Sequence, residues 1–126
     1  MAKLARELIF ETEDAPGKGA GFLQGMAGAS VSVLGMLGYV HEGKGFVHVV
    51  VEEGTDVGGM DAYAAHSGTV VVVEAPNETG SGADVLAKLS NAGINIKHVY
   101  ATSPPGSTVL IVINTDDNNA AMAALN

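Results

Sequence analysis

The residues best placed to do chemistry lie in one loop, Gly80, Ser81 and Gly82, directly before a predicted helix. A glycine-rich turn that opens a helix leaves backbone N–H groups unpaired, and such groups suit a carboxylate. Glycine also lets a ligand approach the backbone closely. Asn95 begins a predicted strand beyond the far end of the same helix, and its amide can donate and accept hydrogen bonds. The pattern predicts a site for a small carboxylate; in the alternative interpretation Asn95 only holds a turn.

No other set of residues has the spacing that catalysis or metal binding requires. The four histidines lack the spacing of metal ligands, and the absence of cysteine excludes thiolate catalysis and cysteine-bound metals. We interpret His41 and His48 as a surface pair flanking a hairpin, and Asp116 and Asp117 as a helix cap. No carboxylate stands in a context that indicates a general acid or base. The sequence therefore predicts a protein that is not an enzyme and has no metal site and no cofactor.

Composition and charge narrow the class of protein. With 126 residues and 47% hydrophobic content, the chain is one ordinary domain or two very small ones sharing a core. A net charge of −8 leaves no basic patch for nucleic acid or for an anionic membrane surface. No apolar stretch approaches the ~18 residues of a membrane span, and no signal-peptide pattern opens the chain. We therefore expect a cytoplasmic protein that binds neither nucleic acid nor membrane.

An internal repeat organises the chain, because the second half matches the first at an offset of 63 residues. The identical pairs include glycines, alanines, a leucine and a glutamate: Glu11 and Glu74, Gly17 and Gly80, Gly19 and Gly82, Ala20 and Ala83, Leu23 and Leu86, Ala29 and Ala92, Gly43 and Gly106. Chance agreement in a chain rich in small residues is the alternative. Both copies also show the same order of elements, which favours two related units, 1–66 and 67–126.

Each copy reads as strand, helix, strand, strand, helix. The predicted elements are 7–12, 18–29, 31–40, 46–52 and 56–66 in the first copy, and 69–75, 83–91, 94–102, 108–114 and 116–125 in the second, with a turn at 104–106. This order predicts an α+β fold of ferredoxin-like βαββα(β) units in tandem, an antiparallel sheet with helices on one face. No final strand follows in the second copy, so either the units share one sheet or another chain covers an edge. We therefore expect a homo-oligomer, namely a dimer.

The stretch Gly93-Ile94-Asn95-Ile96 resembles the ACT domain, a small βαββαβ regulatory module that binds amino acids. The resemblance extends over most of the second copy, through Leu86, Leu89 and the segment around Tyr100. It is weaker in the first copy, where Ser30 and Ser32 replace Gly93 and Asn95. The loop of the second copy also departs from the Pro-Gly-x-Leu that is usual in the family.

The resemblance implies a regulatory protein that senses an amino acid or similar carboxylate at an interface between two ACT domains. The ligand contacts that it implies are Gly80, Ser81, Gly82, Ile94 and Asn95, with a possible second site at Gly17, Lys18, Gly19 and Ser32. A regulated enzyme is an expected partner. The competing hypothesis is a structural or partner-binding regulatory subunit with no small ligand.

Overall fold

Valine-rich runs separated by glycine-containing turns form the strands of this protein. The computed structural model describes residues 1–103 and 105–126; Pro104, the first residue of the predicted turn 104–106, lies outside the described residues. The elements are β1 (Ala2–Glu13), α1 (Lys18–Gly28), β2 (Gly35–His41), β3 (Lys44–Glu52), a 3₁₀ helix (Met60–Tyr63), β4 (His66–Pro76), α2 (Ser81–Asn91), β5 (Ile96–Thr102), β6 (Thr108–Thr115) and α3 (Asn118–Leu125).

The chain divides into two compact units. One, which we call the inserted unit, is Arg6–Gly68, and the other, the split unit, is Met1–Ala5 together with Thr69–Asn126. Strands β1 and β4 each contribute residues to both units. Each unit has its own hydrophobic core, so each is described by itself.

In the inserted unit the hydrogen-bonded strand order is β2-β3-β1-β4. Strands β2 and β3 form an antiparallel hairpin in which Tyr39 faces Phe46. Its two-residue turn places Glu42 and Gly43 at positive φ, 50° and 79°, as a tight hairpin turn requires. One side of the sheet forms the core with α1 and the residues around the 3₁₀ helix. The buried members of this core are Leu8, Phe10, Met26, Val47, Val49, Val51 and Val57.

In the split unit the strand order is β1-β4-β6-β5, again antiparallel. Alternate residues of β4 and β6 belong to the core formed with α2 and α3, namely Val71, Val73, Ile111 and Ile113. Val70, Val72 and Val112 between them are buried as well, so the apolar runs of these strands are continuous. The buried members of the core are Ala2, Val71, Val73, Ala75, Val85, Leu89, Ile111, Ile113 and Ala121. Both units thus have the predicted ferredoxin-like strand order, and the α+β fold class is confirmed.

The strand that the sequence does not provide after α3 comes from the start of the chain. Residues of β1 pair with β4 inside the split unit, where the Glu74 N–H donates to the Met1 carbonyl at 3.1 Å. The Asn126 side chain hydrogen-bonds to the backbone of this strand at Ala2. Its Oδ1 accepts from the Ala2 N–H at 2.9 Å, and its Nδ2 donates to the Ala2 carbonyl at 3.0 Å.

Three predicted elements differ clearly in the structure. The first strand, predicted over 7–12, extends over Ala2–Glu13. The predicted helix 56–66 is wrong, since only the 3₁₀ helix Met60–Tyr63 forms there. Gly58 and Gly59 adopt positive φ, 63° and 82°, and left-handed residues cannot continue an α-helix. The strand predicted from residue 31 begins at residue 35, because the Val31 N–H instead donates to the Met26 carbonyl at the end of α1. The predicted cap is confirmed at Asp117, whose carboxylate accepts from the Ala120 N–H.

Replacing Asn126 by alanine tests the attachment of the first strand. We expect Asn126→Ala to lower the free energy of unfolding by about 1 kcal/mol, since two partly buried hydrogen bonds to Ala2 are lost. Urea denaturation gives this value. Asn119→Ala is the matched control, because Asn119 is exposed on α3 and alanine favours helices. Equal free energies for the two variants would contradict the role of Asn126.

Candidate functional site

Helices α1 and α2 both begin after a glycine in the left-handed conformation. Gly17 has φ 81° and Gly80 has φ 91°, and no side chain caps either helix. Serine, threonine or aspartate at this position would accept a hydrogen bond from the first turn, which glycine cannot do. The first-turn N–H groups of α2, including those of Gly82 and Ala83, therefore keep their partial positive charge for another acceptor.

A cavity of about 220 Å³ lies beside the start of α2 in the split unit. It is bounded by the loop between β4 and α2, the first turn of α2, the end of β5 and the start of β6. Its lining residues are Asn77, Glu78, Ser81, Gly82, Ala101, Thr102, Ser103, Val109 and Ile111. The cavity thus combines an apolar wall from β6 with amide, hydroxyl and carboxylate groups.

Asn77 holds the loop side of this cavity in place. Its backbone N–H donates to the Ser107 carbonyl at 2.9 Å, and its Nδ2 donates to the Gly106 carbonyl at 3.1 Å. Its Oδ1 accepts from the Ser103 hydroxyl at 3.1 Å. The loop before α2 is therefore attached to the connection between β5 and β6, so two walls of the cavity are fixed relative to each other.

The inserted unit contains a cavity at the equivalent place, beside the start of α1. Its volume is about 310 Å³, and its lining residues are Thr12, Glu13, Asp14, Ala15, Gly19, Gly38, Tyr39, Val40, Gly45, Phe46 and Val47. The offset of 63 relates many of these positions to the lining of the other cavity, for example Gly19 to Gly82 and Asp14 to Asn77. The repeat seen in the sequence therefore includes the cavity.

The structure brings some of the predicted site residues together and leaves others apart. Ser81 and Gly82 line the cavity of the split unit, and Gly80 directly precedes them. Ile94 and Asn95 lie beyond the other end of α2, about 16 Å away for a helix of 11 residues, and neither lines the cavity.

Each of these two residues has a structural contact of its own. Ile94 packs against the core of the split unit, and the Asn95 carbonyl accepts from the Asp116 N–H at 3.2 Å.

The predicted second site is divided in the same way. Gly19 lines the cavity of the inserted unit. Gly17 caps the start of α1, and the Nζ of Lys18 lies 3.9 Å from Oε2 of Glu13. Ser32 follows the opposite end of α1 and does not line the cavity.

Sequence reasoning missed the cavity residues that lie outside the glycine-rich loops. In the split unit these are chiefly Asn77, Thr102 and Ser103, and in the inserted unit Asp14 and Val40. The offset of 63 pairs Asp14 with Asn77 and Val40 with Ser103. Aligning the two copies through their loops and strand ends would have indicated these positions.

His48 does not form the predicted surface pair with His41. Its side chain is 5% exposed, and Nδ1 lies 3.2 Å from Oε2 of Glu7, which is 3% exposed. The Nε2 of His48 lies 3.0 Å from the Tyr39 hydroxyl, and the Tyr39 ring stacks on Phe46 at 5.4 Å between centroids. The side-chain alternation of β3 places His48 on the side of the sheet opposite to Val47 and Val49, where Glu7 and Tyr39 lie against it.

Known proteins are similar to this chain in structure. No protein-family model matches the chain, and no curated protein matches it. A crystal structure of protein BT0572 from Bacteroides thetaiotaomicron is 20% identical, has a TM-score of 0.83, and matches over 98% of this chain and 88% of its own. The regulatory subunit of aspartate kinase from Thermus thermophilus, in ligand-free form, is 14% identical, with a TM-score of 0.67 and coverage of 99% and 95%.

A structure of the aspartokinase alpha and beta subunits is 20% identical, with a TM-score of 0.69 and coverage of 99% and 93%. The chain has the fold of these proteins. At such identities the similarity shows the fold alone.

Among the described residues, no helix has both the length and the apolar character needed to cross a membrane.

Replacing Tyr39 by phenylalanine tests the contact between the phenol and the buried imidazole. We expect Tyr39→Phe to lower the free energy of unfolding by about 1 kcal/mol, because His48 loses one polar partner while the ring still stacks on Phe46. Tyr63→Phe is the control, since Tyr63 is 70% exposed. Chemical denaturation measures both; equal stability of the two variants would show that the Tyr39 hydroxyl does not stabilise the sheet.

Proposed function

We propose that this chain is an ACT-like regulatory protein, not an enzyme, which binds a small amino acid or similar carboxylate in the cavity of the split unit. One observation carries the proposal: the cavity lies against the start of α2, which no side chain caps. Backbone N–H groups in that position attract a carboxylate through hydrogen bonds and through the helix dipole.

The remaining lining groups suit the rest of an amino acid. Glu78 supplies a carboxylate for the ligand's ammonium group, and Thr102 and Ser103 supply hydroxyls. Val109 and Ile111 form an apolar wall for a short side chain. A volume of about 220 Å³ is below the ~300–1,000 Å³ of pockets for drug-sized ligands, which favours a ligand of amino-acid size.

The similar structures support a regulatory role. One of them is the regulatory subunit of aspartate kinase from Thermus thermophilus. In our proposal the ligand binds one arrangement of the protein more tightly than another, and that difference changes how the chain associates as a homodimer or acts on a partner enzyme.

A second candidate function is that of a partner-binding subunit with no small ligand. Strand β2 is the last in the strand order of the inserted unit, and its backbone is free to pair on one side. Met36 and Val40 on this strand are 50% and 56% exposed. An exposed apolar edge strand is a common site of protein association, so this observation favours a partner.

Filling the cavity with one side chain distinguishes the two functions. We expect Gly82→Val to weaken amino-acid binding at least tenfold, about 1.4 kcal/mol, because the side chain occupies the cavity beside the first-turn N–H groups. A Cβ at Gly82 meets no atom within 4 Å, so the variant should fold.

Isothermal titration calorimetry against the twenty amino acids measures this effect. Ala87→Val is the matched control, since Ala87 is exposed further along α2 and does not line the cavity. If no amino acid binds the natural protein at millimolar concentration, the ligand-free function is favoured.

The role of Asn95 is tested in the same titrations. We expect Asn95→Ala to bind the ligand as the natural protein does, since Asn95 lies at the opposite end of α2 from the cavity. A loss of binding comparable to that of Gly82→Val would instead support the contact that the ACT resemblance implies. Circular dichroism of both variants checks that the fold is intact.

A further inference from the structure

We infer that the cavity of the inserted unit binds an aliphatic ammonium group, a ligand of different charge from the one proposed for the split unit. The inference deepens the proposed function, because it assumes that both cavities are ligand sites. It rests on the side chains that differ between the two cavities at equivalent positions, and on the charge and polarity that these differences produce.

The loops of the two cavities differ in charge. Asp14 in the inserted unit occupies the position of Asn77 in the split unit, and Glu13 occupies that of Pro76. Two carboxylates therefore line the first cavity, while Glu78 is the single carboxylate lining the second, and neither lining includes a lysine or arginine. Residues 6–68 also hold nine of the fourteen acidic residues but only three of the six basic ones.

The walls of the two cavities differ in polarity. Val40 occupies the position of Ser103, and Gly38 that of Ala101. Together with Phe46 and Val47, Val40 makes much of the wall of the inserted unit apolar. Thr12 and Tyr39 also line this cavity, and the Tyr39 hydroxyl lies 3.0 Å from Nε2 of His48. The apolar part of the wall suits a hydrocarbon chain, and the acidic loop suits a positive charge at one end of it.

The start of α1 does not reverse this preference. A helix N-terminus corresponds to about half a positive charge, whereas each ionised carboxylate carries a full negative one. Lys18 lies 3.9 Å from Glu13 and partly balances it. Asp14 and the incompletely balanced Glu13 together leave this loop more negative than Glu78 alone leaves the loop of the split unit, so of the two cavities the one in the inserted unit favours a cation more strongly.

Three probes of equal chain length and different charge test the inference: pentylammonium, pentan-1-ol and pentanoate. Chemical-shift changes of backbone amides in two-dimensional NMR locate each probe, because glycine amides report on both cavities. Gly19, Gly38 and Gly45 line the cavity of the inserted unit, and Gly82 lines that of the split unit. We expect pentylammonium to shift the three glycines of the inserted unit, with an affinity at least fivefold above that of pentanol, and pentanoate to leave them unchanged.

Exchanging the two loop residues tests their part in the selection. We expect Asp14→Asn to weaken pentylammonium binding in the inserted unit about fivefold, since a full charge is removed without a change of shape. Asn77→Asp loses the hydrogen bond from Nδ2 to the Gly106 carbonyl but gives the split unit a second carboxylate beside Glu78, so Gly82 should respond to pentylammonium. The dispersion of the amide spectrum reports folding of each variant.

Two results would overturn the inference: equal shifts at Gly19 with pentylammonium and pentanoate, or an unchanged pentylammonium affinity in Asp14→Asn. The proposed function fails differently. It fails if neither pentanoate nor any amino acid shifts Gly82, whatever the glycines of the inserted unit show.

Discussion

The pairing of β4 on both sides is the constraint on which the rest of this structure depends. A buried strand has to satisfy its backbone N–H and C=O groups, and in the split unit β6 satisfies one side of β4. Met1–Ala5 satisfies the other side of β4. The Asn126 side-chain amide in turn hydrogen-bonds to the backbone of Ala2 in this segment. Residues 6–68 consequently lie, in sequence, between the two segments of one unit.

The glycines that open α1 and α2 connect this fold to the function that we propose. A left-handed residue turns the chain sharply from the strand into the helix, and Gly17 and Gly80 do so without a capping side chain. Each turn leaves space beside the first helical turn, where a cavity lies. The backbone therefore provides the same cavity geometry twice, and the side chains at the loops and strand ends differ in charge between the two cavities.

Most of the architecture could be predicted from the sequence, because short apolar runs, helical spacing and turn residues are local signals. The strands around Val71 to Val73 and the helix that contains Leu89 follow from such patterns. The predicted helix 56–66 failed because the left-handed Gly58 and Gly59 outweigh a weak apolar period. The sequence indicates only the glycine-rich part of each cavity, because glycines before a helix are visible in a sequence. The contact between Ser103 and Asn77 depends on tertiary pairing and is not visible there.

The attachment of Ala2 to Asn126 also has a consequence for the order of folding. These residues are 124 positions apart, so closing the split unit costs more chain entropy than closing the contiguous inserted unit. Contacts between distant residues slow folding, whereas the β2–β3 hairpin joins neighbours in the chain. We expect the inserted unit to acquire its structure first and thereby to bring the two segments of the split unit within reach of each other.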